Sequence, residues 1–303
     1  MNEYIVKQLS TVVSEENIYP DEKMDKHTTF RIGGKVDYYI KVKSKDELTN
    51  LLSLLKKMER DYYIVGNGSN LLVSDEGYKG IIISMLGAMN RVTVDGECIY
   101  AEAGALNSQI ASVARDNGLT GFEFAAGIPG TIGGAMIMNA GAYDGEMAHI
   151  TSTVDILHKS GELMTLSNSE MKFGYRTSVL KNSGHIVTGA KFQLKKGNQA
   201  EIEAKMKDFA SRRKEKQPLE YPSAGSTFKR PEGLFAGKLI QDAGLKGYTV
   251  GGAQVSEKHA GFVINKGNAT STDVYNLIKN VQAKVLESSG VELEPEVIML
   301  GNF

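Results

Sequence analysis

The sequence is poor in the residues that build disulfide scaffolds and metal sites. Cys98 is the single cysteine among 303 residues. One cysteine cannot form a disulfide framework or a cysteine metal cluster, and such a composition is typical of the reducing cytoplasm. The five histidines are scattered, and no two of them have the spacing of metal ligands. We therefore expect a cytoplasmic protein that holds no metal ion.

The sequence also lacks a large excess of charge of one sign and a long apolar run. The 35 basic and 36 acidic residues leave a formal net charge of -1. Because there is no excess of positive charge, general binding to nucleic acid is not expected, and an anionic ligand has to be met by local geometry. No apolar run approaches the length of a membrane span. The composition predicts a soluble protein that binds neither nucleic acid nor a membrane.

Glycine, by contrast, is concentrated in the run from Ala125 to Gly145, which reads AAGIPGTIGGAMIMNAGAYDG. Several glycines surround Pro129, and no charged residue occurs before Asp144. Glycine permits unusual dihedral angles and leaves backbone N–H groups free to face a flat or phosphorylated ligand. The alternative is a tight turn followed by a buried helix of small residues.

A second loop of this kind, Gly66-Asn67-Gly68-Ser69-Asn70, lies between two apolar runs. Strand, five small or polar residues and strand is the layout of a nest that binds phosphate. The loop is neither a Walker loop nor a Rossmann fingerprint, because no Gly-Lys pair precedes Ser or Thr and the sixth position is Leu71. Alone it is equally consistent with a hairpin turn. Together the two loops indicate one extended cofactor that bears phosphate and is held mainly by backbone.

Hydrophobic periodicity, capping residues and turn signals predict the order of helices and strands. Near residues 195–200 the pattern changes from short strands to a long amphipathic helix, which favours a domain boundary there. The expected helices are Tyr4–Glu16, one capped by Ser44, Ser108–Asn117, Gln199–Gln217 and one capped by Thr270 that ends before Gly290. The expected strands include Asp37–Val42, Tyr62–Val65, Leu71–Val73 and a half-buried terminal strand, Val291–Leu300.

Five motifs in this order carry a resemblance to a known family. They are TFRIGG (Thr29 to Gly34), GNGSNLL (Gly66 to Leu72), AGIPGTIGGA (Ala126 to Ala135), YRTS (Tyr175 to Ser178) and AGSTFKRPEG (Ala224 to Gly233). The terminal VELEPEV (Val291 to Val297) also fits. Over nearly its full length the chain resembles the bacterial UDP-N-acetylenolpyruvoylglucosamine reductases (MurB), which are flavoenzymes of peptidoglycan precursor synthesis.

The resemblance implies an α+β protein with FAD as its cofactor. It implies a two-subdomain FAD-binding fold of the vanillyl-alcohol-oxidase (PCMH) type in residues 1–75 and 76–196, followed by a C-terminal α+β substrate-binding domain in residues 197–303. The implied FAD-binding residues lie in the two glycine loops: Gly66, Asn67, Gly68, Ser69, Asn70, Ala126, Gly127, Ile128, Pro129, Gly130, Thr131, Gly133 and Gly134.

The resemblance also implies the reaction and its catalytic residues. NADPH reduces FAD, and the flavin N5 then gives a hydride to C3 of UDP-N-acetylglucosamine enolpyruvate, which becomes UDP-N-acetylmuramate. Charge passes through C2 into the carboxylate, so a cation on the carboxylate and an acid at C2 are required. Arg176 suits the first role and Ser226 the second, and Glu296 is the acidic partner by its place before Val297.

Each catalytic candidate also has an ordinary explanation. An isolated Tyr-Arg-Thr-Ser is typical of a surface strand with a salt bridge, and a Gly-Ser pair is typical of a turn. Glu294 and Glu296 lie two positions apart and would share one face of a strand, so the residues alone do not separate them. An acidic terminal strand that contains Pro295 is also typical of a sheet edge.

Tyr175, Lys216 and Arg230 are the implied substrate-binding residues. Lys216 ends a charged run that is more typical of a solvated helix end, and Arg230 stands where some family members have Asn. The segment after Arg176 is short and lacks the insertion that in some members brings a tyrosine over the substrate's diphosphate. The chain therefore resembles the shorter, type II variety.

Two other functions compete with the reductase. One is an FAD-dependent oxidase or dehydrogenase of the same cofactor-binding fold that acts on another substrate. Such enzymes often tether flavin to His or Cys, and neither glycine loop contains one. The other is a nucleotide-binding sensor, which would need the loops but not Arg176, Ser226 and the terminal glutamate together. For the reductase we expect a monomer or a weak oligomer, with NADPH and the sugar nucleotide as partners.

Overall fold

The computed structural model describes residues 3–303, and helices and strands are mixed throughout them, as expected for an α+β protein. Within these residues, no helix combines the length and the apolar character needed to cross a bilayer. The α-helices are α1 Glu3–Leu9, α2 Lys45–Lys57, α3 Asn107–Asp116, α4 Ile132–Met138, α5 Asn168–Met171, α6 Gln199–Lys216, α7 Ala236–Asp242 and α8 Ser271–Ser289.

The strands are short, and most of them pair antiparallel. They are β1 Ile18–Pro20, β2 Val36–Lys41, β3 Tyr62–Val65, β4 Leu71–Val73, β5 Tyr78–Ser84, β6 Val92–Asp95, β7 Cys98–Glu102, β8 Leu119–Thr120, β9 Gly141–Ala142, β10 Gly145–Glu146, β11 Thr151–Leu157, β12 Leu163–Ser167, β13 Ile186–Gln193, β14 Lys195–Lys196, β15 Ser223–Ser226, β16 Thr249–Val250, β17 Ala253–Val255, β18 Phe262–Asn265 and β19 Ile298–Leu300.

The contacts between residues divide the chain into two compact units. Of the described residues, the first unit contains 3–20, 38–66 and 81–212, and the second contains 21–37, 67–80 and 213–303. The three-part division at residues 75 and 196 stays a prediction, because the contacts do not separate two cofactor-binding subdomains.

The first unit holds a four-stranded sheet, β1-β2-β5-β3, and a five-stranded sheet, β12-β11-β13-β7-β6. Helix α2 begins as its sequence predicts, because the Ser44 hydroxyl accepts a hydrogen bond from the Glu47 N–H at 3.0 Å. Its apolar face is fully buried in the core of this unit. Burial of that face, rather than helix propensity, is what stabilises the helix.

The second unit is built on the sheet β15-β18-β17-β16 and on helix α8, whose apolar face is buried in the unit's own core. Thr270 and Asp273 form the expected capping box, and Gly290 ends the helix in the left-handed conformation with φ 70°. The carboxylate of Asp75 accepts hydrogen bonds from the N–H groups of Ser271 and Thr272. The short parallel pair of β4 and β19 adds a second tie between residues 67–80 and the end of the chain.

Two predicted elements are shorter than expected. The first helix ends at Leu9 rather than at residue 16, because the hydroxyls of Ser10 and Thr11 hydrogen-bond the carbonyls of the preceding turn. The terminal strand covers Ile298–Leu300 and not residues 291–297. Pro295 lacks an N–H group, and the chain on either side of it is irregular and hydrogen-bonds the segment after β15.

Candidate active site

The loop of Gly66 to Asn70 has the backbone geometry of a phosphate nest. Gly68 has φ 58°, and a Cβ atom there would overlap the carbonyl oxygen of His27. The carbonyl of Gly68 accepts from Thr29 N–H, and that of Asn70 accepts from Ile298 N–H. Within residues 3–303, the N–H groups of Gly68, Ser69 and Asn70 donate to no protein group. Anchored carbonyls and three consecutive amides without a protein acceptor fit a ligand with phosphate oxygens.

Gly66, at the start of this loop, lies directly against the second glycine run. A Cβ atom at Gly66 would overlap the hydroxyl oxygen of Thr131. Position 66 therefore contacts the second glycine run, as a cofactor shared by both runs would require. A side chain at position 66 would displace Thr131.

Several N–H groups of the second run already have protein acceptors. The N–H groups of Ala126, Ile128 and Gly130 donate to carbonyls within or just before the run, and those of Ile132 and Gly133 donate to Ala105 and Ala103. Those five amides are therefore not free to face a ligand. The alternative considered from the sequence, a turn followed by a small-residue helix, describes the local backbone, since α4 follows at once.

A side chain that the sequence did not single out braces the same run. Asn107, the first residue of α3, is fully buried and donates from Nδ2 to the Ile128 carbonyl at 3.3 Å, while its own N–H donates to Gly130. Its Oδ1 is buried and has no hydrogen-bond partner among residues 3–303. A buried acceptor without a donor beside the second glycine run fits a ligand that brings polar hydrogens.

Arg176 lies in a tight turn of the first unit. Its φ is 54°, and Gly174 and Thr177 exchange both backbone hydrogen bonds on either side of it, at 3.0 and 3.3 Å. The guanidinium is half-buried, and its Nη1 donates to the Gly141 carbonyl at 3.5 Å. The ring of Tyr175 lies 5.5 Å from the guanidinium carbon and is mostly exposed. The turn thus presents a charged, bidentate group beside an exposed aromatic ring.

Ser226 and Glu296 lie close together in the second unit. Ser226 ends β15 with its side chain exposed, and its neighbour Thr227 accepts the N–H of Glu296 at 2.8 Å. The carbonyl of Glu296 accepts from Asn70 Nδ2 at 3.1 Å. The structure therefore brings one residue of the nest, the serine strand and this glutamate together.

The structure also separates the two terminal glutamates. Glu294 is exposed, and its carboxylate forms an ion pair with Lys229. Glu296 is half-buried, and its backbone is fixed on both sides. The assumption that both lie on one face of a strand is wrong, because residues 291–297 form no strand.

Lys216 and Arg230 both have exposed side chains. Lys216 is the last residue of α6. The guanidinium carbon of Arg230 lies 4.7 Å from the centre of the Phe235 ring, which is itself exposed. Such stacking holds a guanidinium in place while it remains accessible to an anion.

His259 is a half-buried imidazole next to the strand that pairs with the serine strand. Burial lowers its pKa, so the ring is neutral at neutral pH. Its Nδ1 accepts the Gly261 N–H at 3.1 Å, and the ring packs edge-on against Phe262, the strand partner of Ser226. The neighbourhood of Ser226 therefore gains no positive charge from this histidine.

Within residues 3–303, no group of three or more potential ligand side chains could hold a metal ion.

Two family models match the chain. Residues 36–167 match an FAD-binding domain, and residues 217–300 match the C-terminal domain of UDP-N-acetylenolpyruvoylglucosamine reductase. The free amides of the nest, the contact of Gly66 with Thr131 and the buried Asn107 acceptor agree with FAD as the group that these loops hold.

Curated proteins and a solved structure agree with these models. The UDP-N-acetylenolpyruvoylglucosamine reductase of Caldanaerobacter subterraneus subsp. tengcongensis is 52% identical over 301 residues, covering 99% of both chains. That of Clostridium perfringens is 48% identical over 303 residues, with the same coverage. The crystal structure of the enzyme (MurB) from Thermus caldophilus aligns with a TM-score of 0.80 and 36% identity, over 92% of this chain and 98% of the other.

A more distant structure shares only the fold. A variant of Phl p 4, a glucose oxidase, aligns with a TM-score of 0.51 and 14% identity over 64% of this chain and 44% of its own. The chain thus has an FAD-binding fold of the vanillyl-alcohol-oxidase (PCMH) type and a separate C-terminal domain, as predicted. On the strength of identity near one half along almost the whole of both chains, the protein belongs to the family of UDP-N-acetylenolpyruvoylglucosamine reductases.

Proposed function

We propose that this protein uses FAD and NADPH to reduce UDP-N-acetylglucosamine enolpyruvate to UDP-N-acetylmuramate for peptidoglycan synthesis. The observation that carries the proposal is the match to named reductases along 99% of the chain. We further propose that it works in the cytoplasm as a monomer or weak oligomer, without nucleic acid or membrane as a partner.

The two glycine segments would hold the cofactor. The N–H groups of Gly68, Ser69 and Asn70 suit its pyrophosphate, and the run from Ala126 to Gly134 suits the cofactor's other side. When bound, FAD would supply the hydride-transfer chemistry that links NADPH to C3 of the enolpyruvyl ether.

Arg176 would bind the carboxylate of the enolpyruvyl group. As a C–H bond forms at C3, the electron pair of the double bond moves to C2 and is shared with the carboxylate. A guanidinium grips a carboxylate through two parallel hydrogen bonds and keeps its charge at any working pH. Its attraction grows as negative charge develops, so it lowers the barrier instead of only tightening binding.

Ser226 would deliver the proton to C2. Its Oγ–H bond breaks as the C2–H bond forms, and the exposed side chain regains a proton from solvent. One hydride and one proton together saturate the double bond, so atoms and charge balance. The backbone link from Thr227 to Glu296 supports the proposal that this glutamate assists at the same carboxylate.

Tyr175, Lys216 and Arg230 would contact the rest of the sugar nucleotide. Each is at least partly exposed, and two of them are cationic at neutral pH, as a diphosphate requires. The stacking of Arg230 on Phe235 supports a preorganised contact with one of the phosphates.

The test is anaerobic spectroscopy of the purified protein. We expect a yellow protein that is bleached by NADPH and regains its absorbance when UDP-N-acetylglucosamine enolpyruvate is added. UDP-N-acetylglucosamine, which lacks the enolpyruvyl group, serves as the control and should restore no colour. A colourless protein that takes up no FAD would refute the proposal, and so would a reduced protein that the enolpyruvyl substrate fails to reoxidise.

A further inference from the structure

Asn139 is a buried polar residue to which the proposed chemistry gives no role. It follows α4 in the left-handed conformation, with φ 43°, and is 2% exposed. Its Nδ2 donates to the Gly174 carbonyl at 3.1 Å, and its Oδ1 accepts the Ala148 N–H at 2.9 Å. One amide therefore joins two segments that are far from each other in sequence.

Both of these segments carry groups that meet at the guanidinium of Arg176. Gly174 opens the turn that bears Arg176, and Ala148 follows the hairpin of β9 and β10. The first residue of that hairpin, Gly141, supplies the carbonyl that accepts from Arg176 Nη1. Asn139 thus holds the arginine's turn with one end of its amide and the hairpin of the arginine's acceptor with the other.

The hairpin is anchored at its tip as well. The ring of Tyr143 stacks on that of Phe209 in α6, with centres 4.3 Å apart and planes 7° from parallel. The Tyr143 hydroxyl donates to the Phe209 carbonyl at 3.0 Å. Tyr143 and Asp144 both have positive φ, so this tip is held in an uncommon conformation by its contacts. A hairpin fixed at base and tip offers Gly141 as a rigid acceptor.

We propose that Asn139 is a positioning residue that fixes the direction of the Arg176 guanidinium. The inference rests on the proposed function, since it assigns to Asn139 the orientation of the group that binds the substrate carboxylate. Arg176 itself has positive φ in a turn outside any sheet, so regular structure does not set its direction. The donor end of Asn139 fixes the Gly174 carbonyl, and that carbonyl sets the plane of the turn.

An amide is the group that this position requires. One end has to donate and the other has to accept, and asparagine tolerates the left-handed backbone better than most residues. Aspartate has the same shape, but its second oxygen would repel the Gly174 carbonyl instead of donating to it. Asn139→Asp therefore keeps the bond to Ala148 and loses only the bond to the arginine's turn.

Asn168 offers a matched control, because its side chain, like that of Asn139, hydrogen-bonds the backbone of Ala148. Its Nδ2 donates to the carbonyls of Ala148 and Thr151, and no hydrogen bond joins its side chain to the turn of Arg176 within residues 3–303. Asn168→Asp removes amide donors next to Ala148, as Asn139→Asp removes one at Gly174. Both variants should lose thermal stability, but only Asn139→Asp should bind and reduce the carboxylate-bearing substrate less well.

The experiment measures half-reactions and binding in FAD-loaded Asn139→Asp. We expect flavin reduction by NADPH at the wild-type rate and reoxidation by the enolpyruvyl substrate about 10²-fold slower, as is usual for a displaced positioning group. Calorimetry should show about tenfold weaker binding of UDP-N-acetylmuramate, which has the carboxylate, a loss of roughly 1.4 kcal/mol. Binding of UDP-N-acetylglucosamine, which lacks it, should be unchanged.

A double-mutant cycle with Arg176→Ala separates the inference from the proposed function. If Asn139 acts through the arginine, Asn139→Asp adds nothing in the Arg176→Ala background. An Arg176→Ala enzyme with wild-type reoxidation would refute the arginine's role in the proposed function. A slow Arg176→Ala enzyme combined with additive effects, or with a normal Asn139→Asp enzyme, would overturn the inference alone.

Asn139→Gly provides a second variant that suits the positive φ and deletes the whole side chain. It should slow reoxidation at least as much as Asn139→Asp does. Failure of both variants to yield FAD-loaded protein would also overturn the inference, because the residue would then serve folding rather than the arginine.

Discussion

At the scale of single residues, Ser226 carries the sharpest prediction. Ser226→Ala should leave flavin reduction by NADPH intact and slow the reoxidation by the enolpyruvyl substrate about 10²–10⁴-fold, the range for loss of a general acid. Stopped-flow absorbance of the flavin measures the two steps separately. Ser223→Ala, at the other end of β15, is the matched control and should slow neither. Equal slowing of both half-reactions by Ser226→Ala would contradict the assigned role.

Glu296 and Glu294 form a natural pair for a second prediction. Glu296→Gln should slow reoxidation by about 10²-fold or more, because it would remove, without a change of shape, the carboxyl that we propose to lie beside the reacting carboxylate. Glu294→Gln should slow it little, because its partner is Lys229 and both side chains are partly exposed. Steady-state and single-turnover rates of the two variants decide between them. A larger effect at position 294 would reverse the assignment.

The residues show where sequence reasoning works and where it stops. The five residues of the Gly66 loop are enough to predict a nest, because a nest is a local property of the backbone. The sequence does not separate Glu294 from Glu296, because their different surroundings depend on Pro295 and on the carbonyl of Thr227. Asn139 and Asn107 were missed, since their partners lie many residues away and a lone asparagine gives no local signal.

At the scale of elements, the anchoring of helix α6 predicts a dependence of stability on pH. Glu123 is 3% exposed and accepts from the Thr120 hydroxyl at 2.5 Å and the Gly121 N–H at 2.9 Å, with Lys205 of α6 3.6 Å away. Burial raises its pKa, but these hydrogen bonds and the lysine outweigh burial and hold the pKa below 4.5. A lowered pKa stabilises the fold fully at neutral pH and loses that effect as the pH falls through the folded value.

Glu123→Gln should therefore lower the free energy of unfolding by about 1–3 kcal/mol at pH 7, the usual effect of breaking a buried charged hydrogen bond. The difference from wild type should shrink as the pH falls below 4.5. Urea unfolding at several pH values measures this. Glu203→Gln removes an exposed ion pair on the same helix and should change stability little at any pH. A difference at position 123 that is constant with pH would exclude a linked proton.

Elements with strong end signals were predicted well, and those set by tertiary contacts were not. Helix α8 has its predicted cap and its predicted stop at Gly290, because both are encoded within a few residues. The strands β15 to β18 are two to four residues long and carry too short an alternation to be recognised from sequence. The prediction of the terminal strand was wrong for a related reason. Apolar and acidic residues alternate through Pro295, but residues 291–297 do not pair with a neighbouring strand.

At the scale of the whole molecule, the fold class followed from the order of motifs and not from any one of them. Each glycine loop alone is compatible with an ordinary turn, yet both occur with the arginine, serine and glutamate motifs in one sequence order. The near-neutral net charge agrees with the proposed site, which would bind anions through backbone amides and a few cationic side chains rather than through a global field.

The whole chain should be stabilised by its cofactor, because a ligand that binds the folded state in preference to the unfolded one raises the free energy of unfolding. At an FAD concentration 100 times its Kd, the free energy of unfolding should rise by about 2.7 kcal/mol. Thermal unfolding of FAD-free protein, titrated with FAD, measures the gain. Gly68→Ala should remove most of it, since a Cβ atom there overlaps the His27 carbonyl and displaces the amides of the nest. Gly96→Ala, at a positive φ of 59° with no atom nearby, has similar backbone strain and should keep the gain. An equal gain in both variants would show that FAD does not depend on this loop.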